Sequence, residues 1–380
     1  MRRWNLRSKK NSWHNPINLA VKILHIEAGR FLYGGAQQVS WLTHGLAAKG
    51  VQNVLVCPED GAIQHAVAEG TRVHAIPMKG DLDVGLVMRL LSIIRAEAPD
   101  LIHIHSRRGA DIFGGIAARI AGVPCVLSRR VDNVEPRWWA PLKYRLYDRV
   151  IVISEAIGRV LVECGVDARS ITAVRSAVDS GSYNLPIERS WFQEEFSLPA
   201  DEMTFGIVAQ LIPRKGHRYL LEVLPELLVA YPNLHVLIFG QGPLESELTQ
   251  AVQQPDFDGR VQMVGFRNDL RRVMPNLYAV IHPAEKEGLG VALLQASACS
   301  VPVVAARAGG IPEIVRHDEN GLTFDVGDVG TLKQHLAHLL SDRGLRDRLG
   351  VEGRRLATSA FSIDAMVEGN LAVYKSRLEV

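Results

Sequence analysis

The sequence predicts a chain of two doubly wound α/β domains. Short apolar runs alternate with helical patterns along nearly its whole length, and the alternation restarts after a polar stretch at residues 179–202. Glycine-rich helix starts follow several of the apolar runs. A length of 380 residues suits two cores of about 150–200 residues each better than one.

In the first half, strand-like runs fall at residues 21–27, 52–58, 72–77, 101–105, 124–128, 150–154 and 171–175, with helical spacing at 37–49 and 84–98. Runs such as LIHIH and VIVIS read as central parallel strands covered on both faces rather than half-exposed ones. The second set of strands is expected at 204–209, 235–239, 261–264, 279–282 and 303–306. Its helices are expected at 216–230, 243–252, 291–299 and 331–340. The expected domains are 21–190 and 191–362, followed by a terminal helix at 363–378 capped by Ser362 and running into the chain end at 380. Residues 1–20 are basic and polar and are expected to be poorly ordered.

Apolar residues make up 47% and charged residues 22%, the mix of a folded globular chain. A net charge of +2 from 43 basic and 41 acidic residues speaks against nucleic acid as a partner. Cys57, Cys125, Cys164 and Cys299 are far apart and form no CxxC pair, so free buried thiols of a reducing compartment are expected. The basic start lacks the apolar run of a signal peptide, and no run reaches the roughly 18 apolar residues of a membrane span. The expected location is cytoplasmic.

In open α/β sheets, ligands sit beyond the carboxyl ends of strands, so chemistry is expected on the loops that follow them, in a cleft between two facing sheets. Gly34 and Gly35 follow the first strand and open a helix, where backbone can approach an anion, although GxGxxG is absent. His103 and His105 end a buried strand on one face, suited either to a structural role or to a ligand hydroxyl. Lys215-Gly216 at a helix start suits a diphosphate or a solvated basic turn. The most informative segments are Glu287-Gly288-Leu289-Gly290 and Gly309-Gly310-Ile311-Pro312-Glu313, glycine-rich helix starts after successive strands. Their glycine amides are expected to be open to phosphate or sugar oxygens, with Glu287 accepting from sugar hydroxyls. Asp81-Leu82-Asp83 matches a bare DxD, but it precedes a helix as a capping segment does, so no metal is expected.

Taken together these segments resemble the retaining glycosyltransferases of family 4, which have the GT-B fold. The likeness spans residues 22–374 and rests on Gly34-Gly35, His105, Lys215-Gly216, Gly240-Gln241-Gly242-Pro243, Val264-Gly265-Phe266, Glu287-Gly288-Leu289-Gly290, Gly309-Gly310 and Asn320-Gly321-Leu322. The resemblance implies two Rossmann-like domains facing across a cleft, the terminal helix crossing back to the first. It implies a nucleotide-diphosphate sugar donor, no cofactor and a hydroxyl acceptor, with retention of configuration. It also implies site roles: Lys215 on the diphosphate, Glu287 on the donor sugar, Leu289 and Gly290 as backbone donors, Gly34 and Gly35 near acceptor and phosphate, and His105 near the reacting carbon. Gln210 stands where the family has an arginine, Gln295 replaces the second glutamate of E-x7-E, and Ser176-Ala177 replaces Asn-Gly. Gln295 can still bond ribose hydroxyls, but the missing arginine removes a charged contact worth about 1.5–3 kcal/mol. Two alternatives stay open: a nucleotide-sugar epimerase, another enzyme class on the same fold, and, on the strength of Gln210 and Gln295, a non-catalytic nucleotide-binding partner subunit. Members that build cell-envelope glycans such as lipopolysaccharide often use lipid-linked acceptors. The basic, aromatic segment at residues 129–149 is therefore expected to dock peripherally on anionic membrane at the inner face, unless it is a solvated helix with packed tryptophans.

Overall fold

Continuous apolar strands demand cover on both faces, and each half of the chain meets that demand with a parallel sheet flanked by helices. The structure, a computed structural model, describes residues 21–107 and 109–378; the basic tail at 1–20 lies outside them. The chain divides into two units, the first comprising residues up to 153, 158–174 and 366–380, the second 154–157 and 175–365.

The first unit contains β1 (Lys22–Ile26), β2 (Gln52–Pro58), β3 (Arg72–Ile76), β4 (Leu101–Ile104), β5 (Cys125–Arg129), β6 (Arg149–Val152) and β7 (Ile171–Ala173). All pair in parallel, in the order β3-β2-β1-β4-β5-β6-β7. The order reverses direction between β1 and β4, so the loops after those two strands open at the switch point. The intervening helices are α1 (Gly34–Ala48), α2 (Leu86–Glu97), α3 (Ala110–Ala121), α4 (Ala140–Tyr144) and α5 (Glu155–Glu163). In α2 the buried Leu86, Leu90, Leu91, Ile93 and Ile94 form one stripe, the helical spacing read from sequence.

The second unit contains β8 (Met203–Val208), β9 (Leu234–Phe239), β10 (Val261–Gly265), β11 (Ala279–His282), β12 (Val303–Ala306) and β13 (Leu322–Phe324), in the parallel order β10-β9-β8-β11-β12-β13. Its switch point lies between β8 and β11. The helices are α6 (Arg189–Phe196), α7 (His217–Ala230), α8 (Glu245–Val252), α9 (Leu270–Val273), α10 (Val291–Ala298), α11 (Ile311–Ile314), α12 (Val329–Ser341) and α13 (Arg343–Ser359). Asp328 and Asp342 accept from Thr331 N and Leu345 N and so cap α12 and α13. Leu332, Leu336 and Leu339 of α12 sink into a core with Leu220, Leu224, Val236 and Ile281.

The last helix, α14 (Ile363–Leu378), starts where Ser362 Oγ accepts from Ala365 N at 3.1 Å, the cap read from sequence. From Met366 onward it belongs to the first unit. There Val367 packs so closely on Gly45 of α1 that a Cβ at Gly45 would collide with it. Lys49, just past α1, bonds Glu368, and Tyr374 bonds His103 of β4 at 2.6 Å. Burial of Val367 and Leu371 contributes roughly 1.5–3 kcal/mol each. All four cysteines are free, three of them buried. Among the described residues no helix is long and apolar enough to cross a membrane.

Candidate active site

The switch point of the second sheet brings Lys215, after β8, to Glu287, after β11. The Lys215 ammonium pairs with Glu287 Oε2, which also bonds His282 Nε2 at 2.9 Å. Strand order explains the meeting: β8 and β11 are neighbours although 72 residues separate the two side chains. Burial alone would push the Glu287 carboxyl up, but His282 and the Lys215 ammonium hold it down at about 2. The site is therefore a carboxylate held by an ammonium and an imidazole, all three mostly buried.

The glycine-rich loops serve that carboxylate more directly than the sequence suggests. Gly288 N donates to Glu287 Oε1 at 3.2 Å, and Gly310 N donates to Glu287 O at 3.0 Å. The amides of Gly288 and Gly310, expected to face a ligand, are thus turned to Glu287. Gly309, at φ 53°, and Gly310 supply clearance as well: a Cβ on either would collide with the carbonyl oxygen of Glu287 or of Gly288. The loop after β12 lies backbone to backbone against the loop after β11, fixing where Glu287 stands. Gly290 marks the start of α10, with Leu289 buried just before it.

Gln210 is exposed just after β8, and Ile212 N donates to its carbonyl at 2.9 Å. Gln295, on α10, hydrogen-bonds the Tyr183 hydroxyl, whose pKa burial pushes up to about 12. Arg214, beside Lys215, is exposed and reaches the carbonyl of Lys286. Sequence reading missed three neighbours. His282 ends β11 as His105 follows β4, so the same strand-end signal was available for it. His217, one residue past Gly216, is buried with neither ring nitrogen bonded, and burial then His282 and Lys215 lower it to about 4. Ser154, grouped with the second unit, donates from Oγ to Gly288 O at 2.7 Å.

Gly34, Gly35 and His105 belong to the first unit. Gly34 and Gly35 begin α1, and a Cβ at Gly35 would touch Arg130. His105 lines a cavity of about 480 Å³ at the ends of β1, β4 and β5, together with Glu27, Ser106, Arg129 and Arg130. Burial pushes the Glu27 carboxyl up, opposed by Gly29 N and the Arg130 charge.

One group of ring nitrogens among the described residues is close enough to share a metal ion: His25, His103 and His105, within 4.8 Å of one another. These nitrogens are mostly spoken for: His25 by Asn53 and His105, and His103 by Tyr374 and Ser128. Asp83 of the DxD accepts from Lys79 N and pairs with Arg89, an ion-paired loop residue rather than the helix cap expected.

The segment at 129–149 divides sharply. Lys143 bridges Asp111 at 2.7 Å and Glu135 at 3.0 Å, and Arg129 bonds Glu135 at 2.9 Å, all buried. Tyr144 and Tyr147 are buried too. The outward residues are Arg137 and Arg145 with Val134, Trp138 and Leu142, which are 75%, 74% and 54% exposed. Of the ten basic and aromatic residues in the segment, only Arg137, Trp138 and Arg145 are exposed.

Comparison with known proteins covers both halves. A model described as Glycosyltransferase Family 4 matches residues 33–181, and one described as Glycosyl transferases group 1 matches residues 189–356. Sulfoquinovosyl transferase SQD2 of Arabidopsis thaliana is 31% identical over 75% of this chain, which spans 59% of that protein's length. The Escherichia coli UDP-Gal:alpha-D-GlcNAc-diphosphoundecaprenol alpha-1,3-galactosyltransferase is 23% identical over 86% of this chain and 89% of its own. The crystal structure of Anabaena HepE in complex with UDP superimposes with a TM-score of 0.81 at 21% identity, over 94% of this chain and 100% of that one. These matches are to glycosyltransferases and set the epimerase alternative aside. With its two units matched in order by the two models, the chain belongs to glycosyltransferase family 4 and has the GT-B fold.

Proposed function

We propose that this glycosyltransferase takes its sugar from a nucleotide-diphosphate donor held on the second unit at Lys215 and Glu287. The observation that carries this reading is the ammonium–carboxylate pair at the sheet's switch point, braced by the Gly309-Gly310 loop. A lysine ammonium has three donors, so Lys215 can hold Glu287 and a diphosphate oxygen together. Glu287 accepts from hydroxyls of the donor sugar, while Leu289, Gly290 and Gly309 lie where backbone approaches it. Gln210 and Gln295 take the family's arginine and glutamate positions, with Gln295 directed to Tyr183 in the free protein. Gly34, Gly35 and His105 serve a hydroxyl-bearing ligand from the first unit. The cation that offsets leaving-group charge is the lysine, so the reaction runs without a metal, and transfer retains the anomeric configuration. The relatives support a lipid-linked cell-envelope glycan as acceptor, since the E. coli protein acts on a diphosphoundecaprenol-linked sugar.

A thermal-shift panel of nucleoside diphosphates tests the donor reading. At a hundredfold excess over its dissociation constant the true diphosphate stabilises by about 2.7 kcal/mol. A panel in which none raises the midpoint overturns it. Radiolabelled donors then separate transfer from the binding-only reading of a partner subunit.

Val134, Trp138 and Leu142 with Arg137 and Arg145 form the membrane-facing patch of a protein working peripherally at the inner face of the cytoplasmic membrane. The double variant Arg137→Ser/Trp138→Ser loses about tenfold in binding to anionic vesicles at low salt, since each basic residue near the surface contributes about 1 kcal/mol and the indole adds more. Equal binding by wild type and variant in vesicle sedimentation refutes this.

A further inference from the structure

Three side chains of the first unit form a directed line that ends at the cavity His105 lines. Asn53 Nδ2 donates to Thr43 O at 3.1 Å and to Val51 O at 3.4 Å. Two carbonyl acceptors fix the amide orientation, so Asn53 Oδ1 is the atom facing His25 Nε2 at 3.1 Å. An oxygen there requires His25 to carry its proton on Nε2. Burial holds His25 down at about 4 and His105 well below its usual range, so both rings are neutral and each has one N–H. His25 Nδ1 is then a bare acceptor, and at 2.9 Å it must receive its hydrogen bond from His105 Nε2. That leaves His105 Nδ1 without a proton, and it is buried with no protein partner.

The geometry points to Asn53 and His25 as positioning residues that lock His105, a residue lining this cavity, as the Nε2–H tautomer, leaving its buried Nδ1 bare to accept from a ligand that donates a hydrogen bond, a sugar hydroxyl. Carbonyl, carboxylate and fully ionised phosphate oxygens have no proton to give and are refused at that atom. The choice of a sugar hydroxyl rests on the glycosyltransferase reading; the tautomer does not.

The full chain labelled with ¹⁵N-histidine, read by long-range proton–nitrogen NMR at neutral pH, tests the lock, with His105→Gln assigning the signal by its loss. Wild type is expected to show His105 protonated on Nε2 alone; a proton on Nδ1 overturns the proposal whatever the donor site does. Asn53→Leu removes the terminal acceptor and is expected to let His25 turn over, moving the His105 proton to Nδ1 in part or whole. Asn53→Asp, which still accepts from His25, is expected to restore the wild-type pattern. A folded Asn53→Leu protein that keeps the wild-type tautomer refutes the positioning role. Free glucose is the ligand probe: it is expected to shift the Nδ1 resonance in wild type and less in Asn53→Leu. No shift at the highest soluble glucose refutes hydroxyl recognition, while diphosphate binding, scored separately by thermal shift, reports on the donor site.

Discussion

Lys215→Met is expected to abolish diphosphate-induced stabilisation and to lower transfer by about a hundredfold. A hydrogen bond to a charged group contributes about 1.5–3 kcal/mol, and removing a donor aimed at developing negative charge costs about 10²–10³ in rate. A second cost falls on the free protein. Glu287 loses its ammonium and keeps His282 and Gly288 N in a buried setting, so its carboxyl rises from about 2. Breaking a buried pair from one side destabilises by roughly 3–5 kcal/mol, and the melting midpoint drops as well. Glu287→Gln separates the two functions assigned to the pair. The amide leaves the Lys215 ammonium uncompensated, so affinity for the bare nucleoside diphosphate holds or rises, whereas the advantage of the sugar-bearing donor over the diphosphate disappears. Titration of both variants with diphosphate and donor, by calorimetry, checks the pattern. Loss of diphosphate binding in Glu287→Gln, or its retention in Lys215→Met, removes the roles given to this pair.

The residues of the second unit were legible as members of loops after strands, because apolar runs and glycine punctuation are local features. Their meeting was not, because strand order is set by packing across the sheet rather than by sequence spacing. Lys215 and Glu287 meet because β8 neighbours β11. The same limit hid the histidine line of the first unit, which needs the β1–β4 register aligning His25 with His103 and places Asn53 from β2 beside them. Residues 129–149 show a different limit. Lys143 and Arg145 look alike in sequence, yet Asp111 of α3 and Glu135 draw Lys143 inward while Arg145 stays outside. Glycines mislead for a related reason. Gly310 reads from sequence as offering its amide to an anion, whereas that amide donates to Glu287 O, and the missing side chains of Gly309 and Gly310 let two loops touch.

Acid is expected to destabilise the protein from about pH 6.5 downward. His25, His103, His105 and His217 are buried, and burial lowers each of them, His25 and His217 to about 4. In the unfolded chain each titrates at the ordinary 6.5. A group whose folded value is depressed contributes its full stability above the unfolded value and loses it as pH falls toward the folded one. For His25 the loss reaches about 3 kcal/mol by pH 4, at 1.36 kcal/mol for each unit, and for His217 about the same. The three first-unit histidines touch, so their protonations oppose one another and their losses are not simply additive. Glu27 acts in the opposite sense, since burial raises its carboxyl and protonation relieves it as pH falls. Against a stability of about 5–15 kcal/mol, losses in both units outweigh that relief. The urea midpoint is expected to fall steeply between pH 6.5 and 4, with His217→Gln flattening the second unit's share. A midpoint that stays level from pH 7 to 4.5 would mean that these rings take up protons in the folded protein as readily as in the unfolded chain, and the lowering of their pKa values by burial would go.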